Sequence, residues 1–278
     1  MKVYSPSSTK LFMECPQKWY LQRQQGYVSL YYTKRDLATS LGKAFGKAMQ
    51  VFYESKFTPA IEDISSVAQI EFLQDYNDNK HGREINDDVY LKKEEYYNAL
   101  PRMIDVYLQS PDRIPETWNV LVIEGLVGDN HEAYIDMGGE DDLGRPWFLD
   151  FKVKTYCAKN QMPWQIMKYK YDWQMLHYAW AYSQTIGKFV DTYYIGMMVA
   201  TPTPHFMCEK FHLREDHVLT WLDTAQWWWD KMKRCEETGY YPMSANHYTQ
   251  FGTCQYLSMC FEEGGHNGFI QVKTKKRT

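Results

Sequence analysis

The chain has 278 residues, 44% hydrophobic, 24% charged and 17% aromatic, a composition that builds a substantial core and excludes wholesale disorder. Its formal net charge of −4 excludes attraction to nucleic acid through bulk basicity, but leaves room for a local groove holding a few phosphates. No apolar run approaches a membrane span and the start Met1-Lys2-Val3-Tyr4-Ser5-Pro6 lacks a signal-peptide core, so the reading is cytoplasmic, with the six cysteines reduced or metal-bound.

In chain order, Ser7 or Ser8 is expected to cap a helix running to Cys15-Pro16, where proline opens a new turn. Leu41, Phe45, Ala48, Met49 and Phe52 recur at helical spacing between about residues 37 and 53. Two or three further helices fill about 61–108, interrupted by the polar stretch 77–82, and Pro111 and Pro115 mark a change to strand pattern. Strands follow at about 118–127, 131–137 and 146–154, with Gly138 to Arg145 as a hairpin loop. A helix beginning at Trp164 or Asp172 and ending at Ile186 precedes strands at about 190–200 and 205–212. The helix from Glu215 to about Thr238 stops at Gly239, and short loops carrying glycine and cysteine complete the chain. The expected fold class is α/β: a mixed, mostly antiparallel central sheet flanked by helices, with N- and C-terminal helical segments packed together. One domain is expected over 1–278, with a helical part at 1–117, a catalytic sheet and helix at 118–214, and a helical, cysteine-containing part at 215–278.

The stretch Trp147-Phe148-Leu149-Asp150-Phe151-Lys152-Val153 carries the most chemistry. A side-chain period of two puts Asp150 and Lys152 on one face of a strand and Leu149, Phe151 and Val153 on the other. If the strand ending at Asp136 folds back beside it, two carboxylates and an ammonium converge. Adjacent acids repel unless a cation lies between them, which is how a site for a hard divalent metal is built. A lysine beside that metal can orient water or offset charge on a phosphate. Farther on, Gln174 and Tyr178 are four residues apart and share one helical face, suited to a phosphate, a base edge or a catalytic backbone group. The Trp227-Trp228-Trp229 run reads as helix-packing material more readily than as a base-stacking platform.

Taken in order, these parts resemble the RecB-type branch of the PD-(D/E)XK nuclease superfamily, which includes CRISPR-associated RecB-like exonucleases. The N-terminal S-x-L-x-x-F-x-x-C-P entry resembles Ser8 to Pro16, followed by Trp19-Tyr20, and the Gly-led helix matches Leu41-Gly42-Lys43-Ala44-Phe45. The glutamate before the sheet matches Glu124, and the G-x-x-D strand matches Ala133 to Asp136. The D-x-K strand matches Asp150 to Lys152, and the Q-x-x-x-Y helix matches Gln174 to Tyr178. The resemblance implies a Mg²⁺- or Mn²⁺-dependent nuclease acting on DNA, with Asp136, Asp150, the Phe151 carbonyl and Glu124 as metal ligands. It implies Lys152 as the residue that positions or deprotonates water, and Gln174 and Tyr178 as substrate contacts or braces.

Two departures stand out. The family commonly has a histidine four residues after the helix glycine, often a metal ligand, and here that residue is Gly46. This loss supports a second reading, a catalytically silent nuclease-fold subunit that binds DNA or assembles with recombination or repair proteins. Some relatives also hold a [4Fe–4S] cluster with one early and three late cysteines. Cys15, Cys254 and Cys260 match three of those positions, but Phe251 occupies the fourth, leaving Cys235 or His247 as substitutes. A stable [4Fe–4S] cluster is therefore not expected.

Overall fold

The computed structural model describes residues 3–129, 133–244, 248–249, 252–262 and 265–272. His247, Phe251 and the basic run 273–277 lie outside the described residues.

Helix α1 (Pro6–Glu14) starts earlier than expected. Pro6 sits at its first position and the Ser5 side chain, not Ser7 or Ser8, accepts from the Ser8 amide. Proline needs no partner for its missing N–H there, so it extends the helix N-terminally. After α2 (Pro16–Trp19), a π-helical turn (Tyr20–Gln24) and the short strand β1 (Tyr27–Ser29), helix α3 (Lys34–Glu54) begins in a capping box between Thr33 and Asp36. Leu41, Phe45, Ala48, Met49 and Phe52 are all buried in it, as their spacing requires. Only two helices fill the next region, α4 (Ile61–Lys80) and α5 (Asp87–Gln109); the expected interruption falls after Lys80 because 77–80 complete the last turn of α4.

The central sheet contains β2 (Asn119–Val127), β3 (Ala133–Glu140), β4 (Pro146–Tyr156), β5 (Thr192–Thr201) and β6 (His205–His212), in that spatial order. All neighbours are antiparallel except β4 and β5. That parallel pair needs a crossover, supplied by α6 (Met162–Met167) and α7 (Trp173–Ile186). The hairpin between β3 and β4 is shorter than expected: Gly138 and Gly139 belong to β3, and the turn is Asp141 to Arg145, whose amides at Leu143 and Arg145 donate to the Asp141 carboxylate. Gly139 is required by contact, since a Cβ there would lie 2.1 Å from the Asn119 carbonyl oxygen.

One face of the sheet packs on α3, α4 and α5, burying Trp147, Leu149 and Met137 among them; the other packs on α6 and α7 through Phe148, Ile135 and Ile195. A third cluster joins Phe12 and Trp19 to Trp221 and Trp229 of α8 (Glu215–Thr238). The Trp229 indole donates to Thr9 Oγ1 at 3.2 Å, so the N- and C-terminal helices are packed together. Of the tryptophan triplet, Trp229 is core, Trp228 half-buried and Trp227 53% exposed. The chain end is more ordered than loops alone: after β7 (Tyr248–Thr249), β8 (Gly252–Thr253) and α9 (Leu257–Phe261), strand β9 (Phe269–Gln271) pairs antiparallel with β1. Strands this short carry little periodic signal, and their pairing is made across more than 200 residues of chain.

Candidate active site

The alternation along β4 holds through the D-x-K stretch. Leu149, Phe151 and Val153 face the α3–α5 core, so Asp150 and Lys152 face α7. Along β3 it breaks: Ile135 belongs to the α6–α7 core and Met137, two residues on, to the opposite core. Side chains two apart share a face in regular strands, so the pleat slips by one at Asp136. The neighbouring strand has the cause beside it. Ile123 pairs with Met137 and Gly125 with Ile135, which puts Glu124 across from Asp136, and Glu124 has a φ of 44°. A left-handed residue within a strand turns the following side chains, and here a glutamate holds it.

The β3–β4 ladder ends at Met137–Leu149. Beyond it the Asp136 carboxylate takes the place of a backbone acceptor, and the Phe151 amide donates to Asp136 Oδ2 at 2.6 Å. Across the strand, Lys152 Nζ lies 2.6 Å from Asp150 Oδ2 and donates to Gln174 Oε1 at 3.0 Å. Gln174 Nε2 lies 3.3 Å from Asp150 Oδ1 and 2.6 Å from the Tyr178 hydroxyl. One amide thus binds both charged groups of β4, and the buried Tyr178 backs it. Of the residues expected from the sequence, Asp136, Asp150, Lys152, Gln174 and Tyr178 therefore converge, and Glu124 borders them from β2.

Burial sets the electrostatics. Asp150 is 2% exposed. Desolvation, followed by the Asp150 and Glu124 charges, holds Asp136 well above the usual carboxylate range, against the pull of the Phe151 amide and Lys152. Burial also raises Asp150, opposed chiefly by Lys152, and raises Glu124, opposed by the Tyr134 hydroxyl and Lys47. Lys152 goes the other way. Desolvation works against its charge, but Asp150 and Asp136 outweigh it, so the ammonium holds its proton more tightly than a free lysine.

Three acids whose charged forms are mutually disfavoured suit a hard cation. Among the described residues no three His, Cys, Asp or Glu side chains form a complete ligand cluster. Mg²⁺ needs less than that, because it keeps several waters and is commonly held by one or two carboxylates plus substrate phosphate. Asp136 and Asp150, with Glu124 and the Phe151 carbonyl, fit such a partial set. Gly46 borders the same place: a Cβ on it would lie 3.1 Å from Glu124 Oε1, so this position of α3 faces the site.

Sequence reasoning passed over four contributors, Lys10, Asp172, Tyr169 and Lys47. Lys10 of α1 binds both oxygens of Asp172 at 2.6 and 2.7 Å, and Asp172 caps α7 by accepting from the Gln174 amide at 2.8 Å. The Tyr169 ring centroid lies 5.2 Å from Lys152 Nζ. Lys47 is the cation acting on Glu124. An aspartate just before a helix was a readable cap signal; its partner 162 residues away was not.

The cysteines divide. Cys15, Cys254 and Cys260 line one cavity, together with Lys18 and Tyr256, whereas Cys235 lines a separate groove with Trp228 and Arg234. Cys15 Sγ accepts from the amides of Lys18 and Ser244. Cys235 is therefore not the fourth member of that group: it lines the other groove, with Phe12, Pro16 and Trp228.

The mixed sheet thus carries the D-x-K strand beside a second acid, with the glutamine helix closing over both. The model of the PD-(D/E)XK nuclease superfamily matches residues 3–261, and the chain belongs to that superfamily. Its members are generally hydrolytic nucleases that use divalent metal ions such as Mg²⁺ or Mn²⁺. A search of the curated proteins finds no match to this chain. No described helix is long and apolar enough to cross a membrane.

Proposed function

We propose that the protein is a Mg²⁺- or Mn²⁺-dependent deoxyribonuclease of the RecB-type branch, a cytoplasmic exonuclease or end-processing enzyme in recombination, repair or phage DNA metabolism. The observation that carries this reading is the junction of Asp136, Asp150 and Lys152 under Gln174. The order of motifs along nearly the whole chain supports the RecB-type branch.

In this reading Asp136 and Asp150 hold the metal, with Glu124 adding a carboxylate directly or through water and the Phe151 carbonyl a further oxygen. The metal supplies Lewis acidity toward the phosphate and a more acidic water. Lys152 remains protonated beside Asp150, so it serves best by orienting the attacking water and offsetting negative charge that develops on the phosphate oxygens. Gln174 fixes the Lys152 ammonium and the Asp150 carboxylate relative to each other, and can pass an amide hydrogen bond to the scissile strand. Tyr178 restrains that amide. A catalytically silent DNA-binding or assembly subunit is the second reading, favoured by Gly46 beside Glu124.

Incubation of labelled single- and double-stranded DNA with Mg²⁺, Mn²⁺ or EDTA tests the proposal. Metal-dependent cleavage is expected; cleavage that survives EDTA, or none under any condition with intact protein, overturns it.

A further inference from the structure

Residues 151–171 link the catalytic strand to the glutamine helix and are rich in lysine and aromatic residues. They carry five lysines and no Asp or Glu, in a protein whose net charge is −4. Lys154, Lys159, Lys168 and Lys170 form no ion pair among the described residues; Lys168 donates to Gln165 Oε1 and Lys170 lies over the Tyr171 ring, so all four charges stay uncompensated by a carboxylate. Large flat side chains are exposed among them: Trp164 is 77% exposed, Tyr156 69% and Tyr171 47%.

These exposures follow from how the segment is anchored. Met162 and Ile166 of α6, four residues apart, are buried against the sheet at 1% and 0% exposure. Trp164 falls midway between them and is driven to the opposite face of the helix. The indole held outward by this fixed helix is left free to stack, and along the chain it stands between the exposed Tyr156 and Tyr171, with lysines interspersed. The β4–β5 ladder continues to Tyr156, which shares parity with Asp150, Lys152 and Lys154 and so faces the same side of β4. At the other end, Tyr169 packs over Lys152 itself. The segment is thus continuous with the candidate site.

We propose that residues 154–171 form a platform for a single-stranded segment of DNA, with bases stacked on Trp164 and the flanking tyrosines and phosphates drawn to the four lysines. This rests on the nuclease reading and deepens it by naming the strand state of the substrate. A flat, exposed ring needs a base whose face is free, which a duplex withholds and a single strand offers. The charge complementarity selects a polyanion over a neutral peptide.

The test is fluorescence anisotropy of a fluorescein-labelled oligodeoxynucleotide, single-stranded or annealed to its complement, bound to the whole protein in EDTA. The single strand is expected to bind more tightly than the duplex. Trp164→Ala should weaken that binding about tenfold, as loss of one stacked base does, while Trp164→Tyr retains most of it. Lys159→Ala/Lys168→Ala/Lys170→Ala should flatten the slope of log affinity against log salt by roughly 2. Trp227→Ala, which removes an exposed indole on α8, should leave affinity unchanged, and melting temperatures report that each variant is folded. The platform is refuted if Trp164→Ala binds like wild type, if the duplex binds equally well, if Trp227→Ala costs as much, or if anionic lipid vesicles are bound in place of the oligonucleotide. Trp164-dependent binding without cleavage of any nucleic acid would sink the nuclease reading and keep the platform; metal-dependent cleavage with binding indifferent to Trp164 would do the reverse.

Discussion

The Phe151 amide donates to the Asp136 carboxylate at 2.6 Å, one step beyond the last rung of the β3–β4 ladder. A side chain thereby substitutes for backbone and ties an acid of one strand to the peptide between Asp150 and Lys152 of the next. This contact keeps two like charges close, at an electrostatic cost that bound metal would relieve.

Removing either acid should therefore remove function. Asp136→Ala and Asp150→Ala are each expected to abolish cleavage of labelled DNA, and EDTA should do the same to wild type. Residual turnover above background in Asp150→Ala would contradict the assignment.

Lys152 differs from its neighbours because it carries the charge of the opposite sign. Lys152→Ala should lower turnover on the order of 10² or more, as loss of one electrostatic stabiliser does, with metal affinity little changed. Calorimetric titration with Mn²⁺ separates the two effects. Metal binding lost together with turnover would make Lys152 structural.

Gln174 touches both charges of β4, and the Tyr178 hydroxyl accepts from the Gln174 amide. Gln174→Leu should cost roughly ten- to a hundredfold in turnover, the range seen when a partner that orients a site residue is lost. Tyr178→Phe, which removes one accepting hydroxyl, should cost less. Single-turnover rates at saturating metal measure both, and a larger loss from Tyr178→Phe would reverse the proposed order of roles.

The Asp136 carboxyl is raised well above its usual range by burial and by Asp150 and Glu124. Its folded-state proton affinity exceeds the unfolded one, so its stabilising contribution is complete below about pH 4 and is lost as pH rises through the elevated value. In EDTA near neutral pH, Asp136→Asn should melt at a higher temperature than wild type, and the advantage should vanish as pH falls toward about 4. Mn²⁺ should raise the wild-type melting temperature more than the variant's. Thermal scans at several pH values would refute this if wild type were the more stable protein in EDTA at neutral pH.

For the cysteines, three thiols share a cavity and Cys235 lies elsewhere. Four thiolates are the usual requirement for a [4Fe–4S] cluster, so anaerobically purified protein is expected to be colourless. About four irons per chain with a brown visible spectrum would defeat that expectation, and stoichiometric zinc would require a ligand set beyond these three.

Periodicity was enough to mark the sheet strands and the main helices, because each buries a face against the rest of the protein and a buried face must repeat at about 2.0 or 3.6 residues. It also put Asp150 with Lys152, and Gln174 with Tyr178, on shared faces, since those pairings are local. The slip of the pleat at Glu124 and Asp136 had no such signature: it depends on a positive φ in one strand meeting an acid in the next. The Lys10–Asp172 clasp and the gathering of Cys15 with Cys254 and Cys260 were equally silent, as was the pairing of β1 with β9. Each joins residues more than 150 positions apart, where sequence spacing carries no information and packing of the intervening elements alone decides which side chains meet.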